Sequence, residues 1–193
     1  MTQTRITAGE FRSRVITTPS GDLTRPTTSR VREALFNILS RDVVGATVVD
    51  LYAGAGTVGF EALSRGAAGV TFVERRRAAV VAIASTAAAF GCEARCTIVH
   101  AEVAHWVTTA TDAIAAADLC FLDAPYQDPG VDRVLAKIGS RPAHLVVCEH
   151  HRARQLADRI GTMERIREAR YGLTTLSMYR AISGKPESGD DPS

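Results

Sequence analysis

TVVDLYAGAGTVGFEAL, residues 47–63, joins an apolar strand to a helix through a glycine-rich loop. Gly54, Gly56 and Gly59 form a GxGxxG pattern at that junction. In this position the pattern lets a backbone approach a ligand closely at the N-terminus of a helix. The pattern also occurs in plain strand-to-helix turns, so it predicts a ligand cradle only together with residues elsewhere in the chain.

An alternation of strands and helices extends from this loop toward the C-terminus. Apolar strands are predicted at 47–51, 70–74, 95–100, 117–122 and 144–149. Helices are predicted at about 57–65, 76–90, 102–110 and 130–139. Two further β-prone runs, 164–171 and 173–181, predict a terminal hairpin. The pattern indicates an α/β fold of the Rossmann-like kind, a seven-stranded, mostly parallel sheet with an antiparallel terminal strand.

The N-terminal part has a different pattern. Residues 4–17 predict a small β-hairpin, because short β-prone runs flank a central turn. After a turn-rich linker, apolar residues at helical spacing predict a helix along the stripe Val31, Ala34, Leu35, Ile38 and Leu39. We therefore predict three parts: a hairpin extension and linker over 1–28, an α/β domain over 29–182, and a disordered tail over 183–193.

Composition is typical of a single-domain globular protein. Of the 193 residues, 46% are apolar and 23% are charged. No apolar run approaches about 18 residues and no charged-then-apolar leader is present, so we expect a cytoplasmic protein without a membrane span. Cys92, Cys96 and His100 are spaced by four residues but lack the pattern of a four-ligand zinc site, so no metal is expected.

Acidic residues at the ends of three predicted strands discriminate between ligands. Asp50 precedes the first glycine by four residues, where a carboxylate would repel a pyrophosphate but can accept a hydrogen bond from the ammonium group of S-adenosylmethionine (SAM). Glu74 ends the second strand, where an acid can bind both ribose hydroxyls. Glu102 follows the third strand and could accept from an adenine amino group beside the Val103 amide. An enzyme that binds a nicotinamide cofactor would also have an acid at the position of Glu74. Asp50, however, favours SAM over a nicotinamide cofactor as the ligand.

The fourth strand ends in Asp123-Ala124-Pro125-Tyr126. Methyl transfer to an exocyclic base amine requires that the nitrogen lone pair be aimed at the methyl group. The Asp123 carboxylate and the Ala124 carbonyl could hold the two amine protons and so orient the lone pair. Pro125 fixes the turn of the chain, and Tyr126 offers a face on which an extruded base can stack.

These motifs resemble a known family. LDAPY, residues 122–126, resembles the [N/D]PP[Y/F] signature of amino-methyltransferases. RPTTSRVREALFNIL, residues 25–39, and DLYAGAGTVGFEALSRGA, residues 50–67, look like the RsmD family of 16S ribosomal RNA guanine-N2 methyltransferases. The resemblance implies a class I methyltransferase that uses SAM and no metal to modify guanine 966 of 16S ribosomal RNA in the small ribosomal subunit. It also implies an N-terminal β extension that contacts RNA.

The resemblance carries over to individual positions. The implied cofactor-binding residues are Asp50, Ala53, Gly54, Gly56, Gly59, Glu74, Glu102 and Val103. The implied catalytic residues are Asp123, Ala124, Pro125 and Tyr126. Ala124 departs from the family pattern, because it replaces the first proline; its carbonyl acceptor is retained, but we expect looser positioning.

Basic charge near the N-terminus supports a nucleic-acid partner. Residues 1–33 contain six arginines against three acidic residues, a local charge of +3, as expected of a surface that binds phosphates. The candidate RNA-facing residues are Arg5, Arg12, Arg14, Arg25, Arg30 and Arg32. We expect a monomer. Two alternatives stay open: a DNA amino-methyltransferase, and a catalytically weak RNA-binding assembly factor.

Overall fold

The computed structural model describes residues 2–18, 29–125 and 128–182. The predicted linker through residue 28, Tyr126 and the predicted tail from 183 lie outside the described residues. Two short strands form the N-terminal hairpin, β1 (Thr2–Arg5) and β2 (Val15–Thr18). The remaining strands are β3 (Thr47–Leu51), β4 (Gly69–Glu74), β5 (Cys96–His100), β6 (Leu119–Asp123), β7 (Leu145–His151), β8 (Arg159–Ile160), β9 (Met163–Tyr171) and β10 (Thr174–Ala181). The α-helices are α1 (Ser29–Leu39), α2 (Thr57–Ser64), α3 (Arg77–Phe90), α4 (Val103–Thr109), α5 (Thr111–Ala115) and α6 (Val131–Ser140).

The main sheet has the strand order β5-β4-β3-β6-β7-β10-β9-β8. Strands β3 to β7 are parallel to one another, and β10 runs antiparallel to both β7 and β9. The predicted Rossmann-like α/β fold with an antiparallel end is confirmed. The sheet has one strand more than the seven predicted, because the two-residue β8 pairs with the start of β9, and a strand that short has no hydrophobic period to detect.

The two faces of the sheet are buried in separate cores. Phe72, Phe121 and Val147 belong to one core cluster, which also contains residues of α1, α2 and α3; we call this the α1 face. Leu122 and Cys148 belong to the other cluster, which contains residues of α4 and α6. Since side chains alternate along a strand, this division fixes the direction in which the residues at the strand ends project.

The N-terminal hairpin packs on the α1 face. Ile6, Phe11 and Ile16 are buried in the same core as the helices there, and the ring centroids of Phe11 and Phe90 are 4.9 Å apart. The hairpin turn also meets the C-terminus of α2, where the Phe11 amide donates to Ser64 Oγ at 2.8 Å. The boundary between an extension over 1–28 and a domain over 29–182 stays a prediction.

A buried carboxylate connects the hairpin, α1 and α2. Glu61, in α2, has a side-chain exposure of 0%. Its Oε2 accepts from the Thr7 amide at 3.0 Å and from Arg32 Nε at 3.2 Å, and its Oε1 accepts from Arg65 Nε at 2.9 Å and from the Ala8 amide at 3.2 Å. These bonds replace the water that an ionised carboxylate would otherwise need.

Across the described ranges no helix is long and apolar enough to cross a membrane.

Candidate active site

Four acidic side chains lie at the carboxyl edge of the sheet, one on each of four neighbouring strands. Asp50 is level with Phe72 of β4 and Phe121 of β6, which places Glu74 and Asp123 two residues farther along their strands. Asp123 is in turn level with Glu149 of β7. Because the residue before each acid projects into the opposite core, all four acids project on the α1 face.

Asp50 is the most enclosed of the acids near the glycine loop. It is 2% exposed, and its Oδ2 accepts from the Gly59 amide at 3.0 Å. Burial raises the pKa of Asp50 to about 8; the Gly59 hydrogen bond opposes this shift, and the nearby charges of Asp123 and Glu74 add to it. The carboxylates therefore form one electrostatic group, which favours a cationic ligand among them.

The glycines of the loop are required by backbone shape and by space. Gly54 and Gly56 have φ values of +57° and +77°, which side chains disfavour. At Gly59 a Cβ atom would lie 2.2 Å from Cε1 of Phe72 in the underlying core. The GxGxxG pattern thus holds the first turn of α2 directly against the sheet.

Gly59→Ala is expected to lower the free energy of unfolding by about 1–3 kcal/mol, because the new methyl group must displace the Phe72 ring. Urea unfolding followed by tryptophan fluorescence would measure this decrease. Gly69→Ala is the matched control, since a Cβ there meets only the Arg95 carbonyl oxygen at 3.5 Å, an ordinary contact. Equal unfolding midpoints for the two variants would contradict the packing argument.

Glu74 links the glycine loop to the start of α3. Its Oε2 accepts from the Gly54 amide at 2.8 Å, and its Oε1 accepts from the amide and Nε of Arg76 at 2.8 and 3.1 Å. A carboxylate has about four acceptor sites, so Oε2 can still accept from a ligand hydroxyl. Arg76 offsets part of the negative charge of the edge, a role that the sequence pattern did not indicate.

Glu102 and Val103 lie at the junction of β5 and α4, next along the same edge. Glu102 is exposed and its Oε2 accepts from Arg75 at 3.3 Å, whereas Val103 is 2% exposed. The Ala53 amide, in the glycine loop, donates to the Val73 carbonyl at 3.1 Å, which joins the loop to β4. The structure therefore brings every predicted cofactor-binding residue to the ends of β3, β4 and β5.

The tetrapeptide begins at the last residue of β6. Asp123 and Pro125 are half-buried and Ala124 is 5% exposed. After the tetrapeptide, the Asp128 amide donates to the Pro125 carbonyl at 2.8 Å. Asp123 and Ala124 are thus presented at the same edge as Asp50.

Tyr52 is a site residue that sequence reasoning missed. It lies in the glycine loop with φ +59°, an uncommon conformation for a residue with a side chain. Its hydroxyl hydrogen-bonds to Asp128, and burial, followed by the Asp128 charge, raises the pKa of Tyr52. Tyr52 therefore connects the glycine loop to the segment after the tetrapeptide. No sequence signal could have paired two loops 76 residues apart in the chain.

The candidate RNA-facing arginines divide into exposed and buried residues. Arg5, Arg12, Arg14 and Arg30 are exposed, and Arg25 lies outside the described residues. The prediction that Arg32 faces outward is wrong: its side-chain exposure is 0%, and it donates to Glu61 and, at 2.7 Å, to the Arg5 carbonyl. Arg32 lies on the apolar side of α1 because it neutralises Glu61 there.

The fold and this edge of acids define a class I methyltransferase of the Rossmann-like kind. A solved structure of yhhF from Escherichia coli, named as a candidate methyltransferase, aligns with a TM-score of 0.80 and 28% identity over 93% of this chain and 98% of that chain. A more distant structure, the SMU.776 methyltransferase candidate complexed with SAH, has the same fold, with a TM-score of 0.62 and 13% identity over 79% of this chain and 48% of that chain.

The family model described as conserved hypothetical protein 95 matches residues 4–180, and the chain belongs to that family. YlbH of Bacillus subtilis (strain 168), named as a candidate rRNA methyltransferase, is 28% identical over 180 residues, 91% of this chain and 98% of its own length. Ribosomal RNA small subunit methyltransferase D of Escherichia coli (strain K12) is 50% identical over 76 residues, 39% of this chain and 38% of its own length. The predicted membership of the RsmD family of small-subunit rRNA methyltransferases is confirmed.

Proposed function

We propose that the protein is a SAM-dependent methyltransferase that modifies the exocyclic N2 of guanine 966 in 16S ribosomal RNA of the small subunit. The observation that carries this proposal is the placement of Asp123 beside Asp50 and Glu74, on one face of one sheet edge. A cofactor-binding loop and an amine-orienting carboxylate are thereby directed toward a common space. The family membership supports ribosomal RNA as the substrate class.

The residues around the glycine loop fit SAM. Asp50, through Oδ1, would accept from the ammonium group, and Glu74, through Oε2, would accept from a ribose hydroxyl. Gly54 has no side chain at the point where the nucleoside would pass. If a Cβ atom were added there, the nearest side-chain atom would be an Arg76 nitrogen at 3.8 Å. Glu102 and the Val103 amide would contact the adenine. A pyrophosphate would be repelled by the same carboxylates.

When bound, SAM would supply an electrophilic methyl group to the amine nitrogen, with its sulfur keeping the electron pair of the former carbon–sulfur bond. Asp123 and the Ala124 carbonyl would hold the two amine protons, which turns the nitrogen lone pair toward the methyl group. Asp123 would then accept the proton that the methylated nitrogen loses. Tyr126, by its sequence position, would stack on the target base.

Transfer of a radiolabelled methyl group from SAM to undermethylated small subunits tests this function directly. Naked 16S RNA and DNA serve as alternative acceptors, and the labelled nucleoside is identified after digestion. We expect N2-methylguanine from the RNA and no product from DNA. Labelled DNA would favour the DNA amino-methyltransferase, and tight subunit binding without transfer would favour the assembly factor.

SAM affinity is expected to rise about tenfold between pH 6.5 and pH 8. With its pKa raised to about 8, Asp50 is mostly protonated in the free protein at pH 6.5, while an ammonium group favours its ionised form. Binding thus lowers the pKa of Asp50 and releases a proton, so affinity increases as pH approaches 8. Above about pH 8 the gain ends, because the α-amino group of SAM loses its own proton.

Isothermal titration calorimetry at several pH values would measure this dependence. Asp50→Asn should bind SAM weakly with no such rise, and the exposed Asp42→Asn should behave as the wild type. A wild-type affinity that is constant from pH 6.5 to 8 would show that Asp50 does not contact the ammonium group.

Binding to RNA is expected to weaken steeply with salt. Arg12 and Arg30 are exposed, whereas Arg5 donates to the Ser13 carbonyl at 3.0 Å. Arg14 is held over the Phe90 ring at 4.3 Å and donates to the Phe90 carbonyl at 3.4 Å. We therefore assign phosphate binding first to Arg12 and Arg30. Removal of one phosphate-binding arginine should reduce the slope of log affinity against log salt by roughly 0.7 to 0.9.

Filter binding would measure the slope for Arg12→Ala and Arg30→Ala on small subunits. The salt concentration would run from about 50 to 200 mM, the range over which affinity that depends on phosphate contacts falls steeply. Arg133→Ala is the matched control, since Arg133 is exposed on α6, which packs on the opposite face of the sheet. Slopes that are identical in all four proteins would remove the N-terminal arginines from the RNA interface.

A further inference from the structure

Glu149 lies two residues before the end of β7, beside the tetrapeptide, and the sequence pattern did not assign it a role. It is 5% exposed and level with Asp123 on the neighbouring parallel strand. Adjacent strands lie about 4.8 Å apart, and both side chains project on the α1 face. A recess at this end of the sheet is lined by Glu149, Ala124, Pro125, Val131, His150, His151 and Arg154. The acid is therefore one strand spacing away from the group that would hold the target amine.

We propose that Glu149 determines the choice of base by accepting the N1–H of the target guanine, an inference that rests on the proposed function. Guanine presents two neighbouring donors on its Watson–Crick edge, the N2 amine and the N1–H. With one amine proton on Asp123, the adjacent N1–H points toward the next strand, where Glu149 lies. Two carboxylates on neighbouring strands thus match the two neighbouring donors of this base.

The chemistry of a carboxylate makes this contact selective. An ionised carboxylate only accepts hydrogen bonds. Adenine and cytosine also have an exocyclic amine, but the ring nitrogen beside it is an unprotonated acceptor. Such a nitrogen and the Glu149 carboxylate are both hydrogen-bond acceptors, so no hydrogen bond would form between them. A buried polar group left without a hydrogen bond costs about 1–3 kcal/mol of binding free energy. Asp123 and Ala124 alone would orient any of these amines, so the selection needs a further residue.

The end of β7 is held in place from the opposite face of the sheet. His150 is 4% exposed; its Nε2 is 2.9 Å from Ser177 Oγ, and its Nδ1 is 3.1 Å from the His151 carbonyl oxygen. These interactions join β7 to β10 and fix the backbone directly after Glu149. A carboxylate on a fixed backbone is positioned for selective hydrogen bonding.

The test compares guanine with 2-aminopurine at the target position of reconstituted small subunits. 2-Aminopurine keeps the exocyclic amine but has an unprotonated N1. The wild-type protein should methylate guanine about 10- to 100-fold faster, the preference that one or two missing hydrogen bonds produce. In Glu149→Gln the ratio should fall to about one, because the carboxamide can donate to the N1 of 2-aminopurine.

SAM affinity of Glu149→Gln should equal that of the wild type, since the residue faces the base rather than the cofactor. Glu93→Gln, at an exposed position, should keep the wild-type preference. Equal rates on both bases in the wild type would overturn the inference even if the variant did not fold. An unchanged preference in folded Glu149→Gln would overturn it as well. Absence of wild-type transfer to guanine would instead refute the proposed function, and this inference with it.

Discussion

Asp123→Asn is expected to reduce methyl transfer by about 100- to 1000-fold while SAM affinity changes by less than about threefold. A positioned acid or base typically contributes 100- to 10,000-fold to a rate, and an asparagine can still accept one hydrogen bond at this position. The variant would lose the second effect proposed for the carboxylate, acceptance of the proton that the methylated amine releases. Single-turnover transfer to undermethylated small subunits would measure the rate of the chemical step.

A second measurement on the same variant tests the arrangement of the edge. The Asp123 charge is one of the causes that raise the pKa of Asp50, so its removal should lower that pKa. The rise of SAM affinity with pH should therefore occur at lower pH in Asp123→Asn than in the wild type. The exposed Asp42→Asn is the matched control for both measurements. A wild-type turnover in Asp123→Asn would exclude a direct role of this carboxylate in the reaction.

Glu61→Ala is expected to destabilise the protein by about 3–5 kcal/mol, the usual effect when one partner of a buried ion pair is removed. The substitution leaves the Arg32 guanidinium buried without its carboxylate and removes the acceptor of the Thr7 and Ala8 amides. For a chain of this length the midpoint of thermal unfolding should fall by roughly 6–20 °C. The N-terminal hairpin should detach from α2 first.

Calorimetric unfolding, with proteolysis of the hairpin as a local probe, would measure both effects. The double variant Arg32→Met with Glu61→Ala should lose less stability than the two single variants added together, since neither buried charge is then left alone. Glu93→Ala, an exposed glutamate on the same protein, should change the midpoint little. Strict additivity of the two single variants would show that Arg32 and Glu61 do not stabilise each other.

Much of the candidate site could be predicted because its signals are local. The period of the apolar residues indicated each parallel strand, and the glycines at φ +57° and +77° marked the loop after β3. Asp50 and Asp123 were recognisable as carboxylates that end apolar runs. In a parallel sheet, strand ends of this kind meet at one edge, so their proximity followed from the fold class alone.

The residues that sequence reasoning missed depend on interactions between distant parts of the chain. Whether Arg32 lies on the surface or in the core depends on Glu61, 29 positions away, and the helical stripe of α1 does not contain that information. The pairing of Tyr52 with Asp128 depends in the same way on the approach of two loops. Glu149 ended an apolar strand as Asp123 does, but its relevance follows only from the strand order, which makes β7 the neighbour of β6.

The amino-acid sequence by itself determined the fold class, the cofactor loop and the acids at the strand ends, because the spacing of nearby residues indicates each of these features. The tertiary structure alone decided which acids are neighbours, which arginine is buried and which carboxylate lies beside Asp123. The physical reason is that a strand's neighbours and a side chain's burial are set by packing of the whole sheet, to which residues far apart in the chain contribute together.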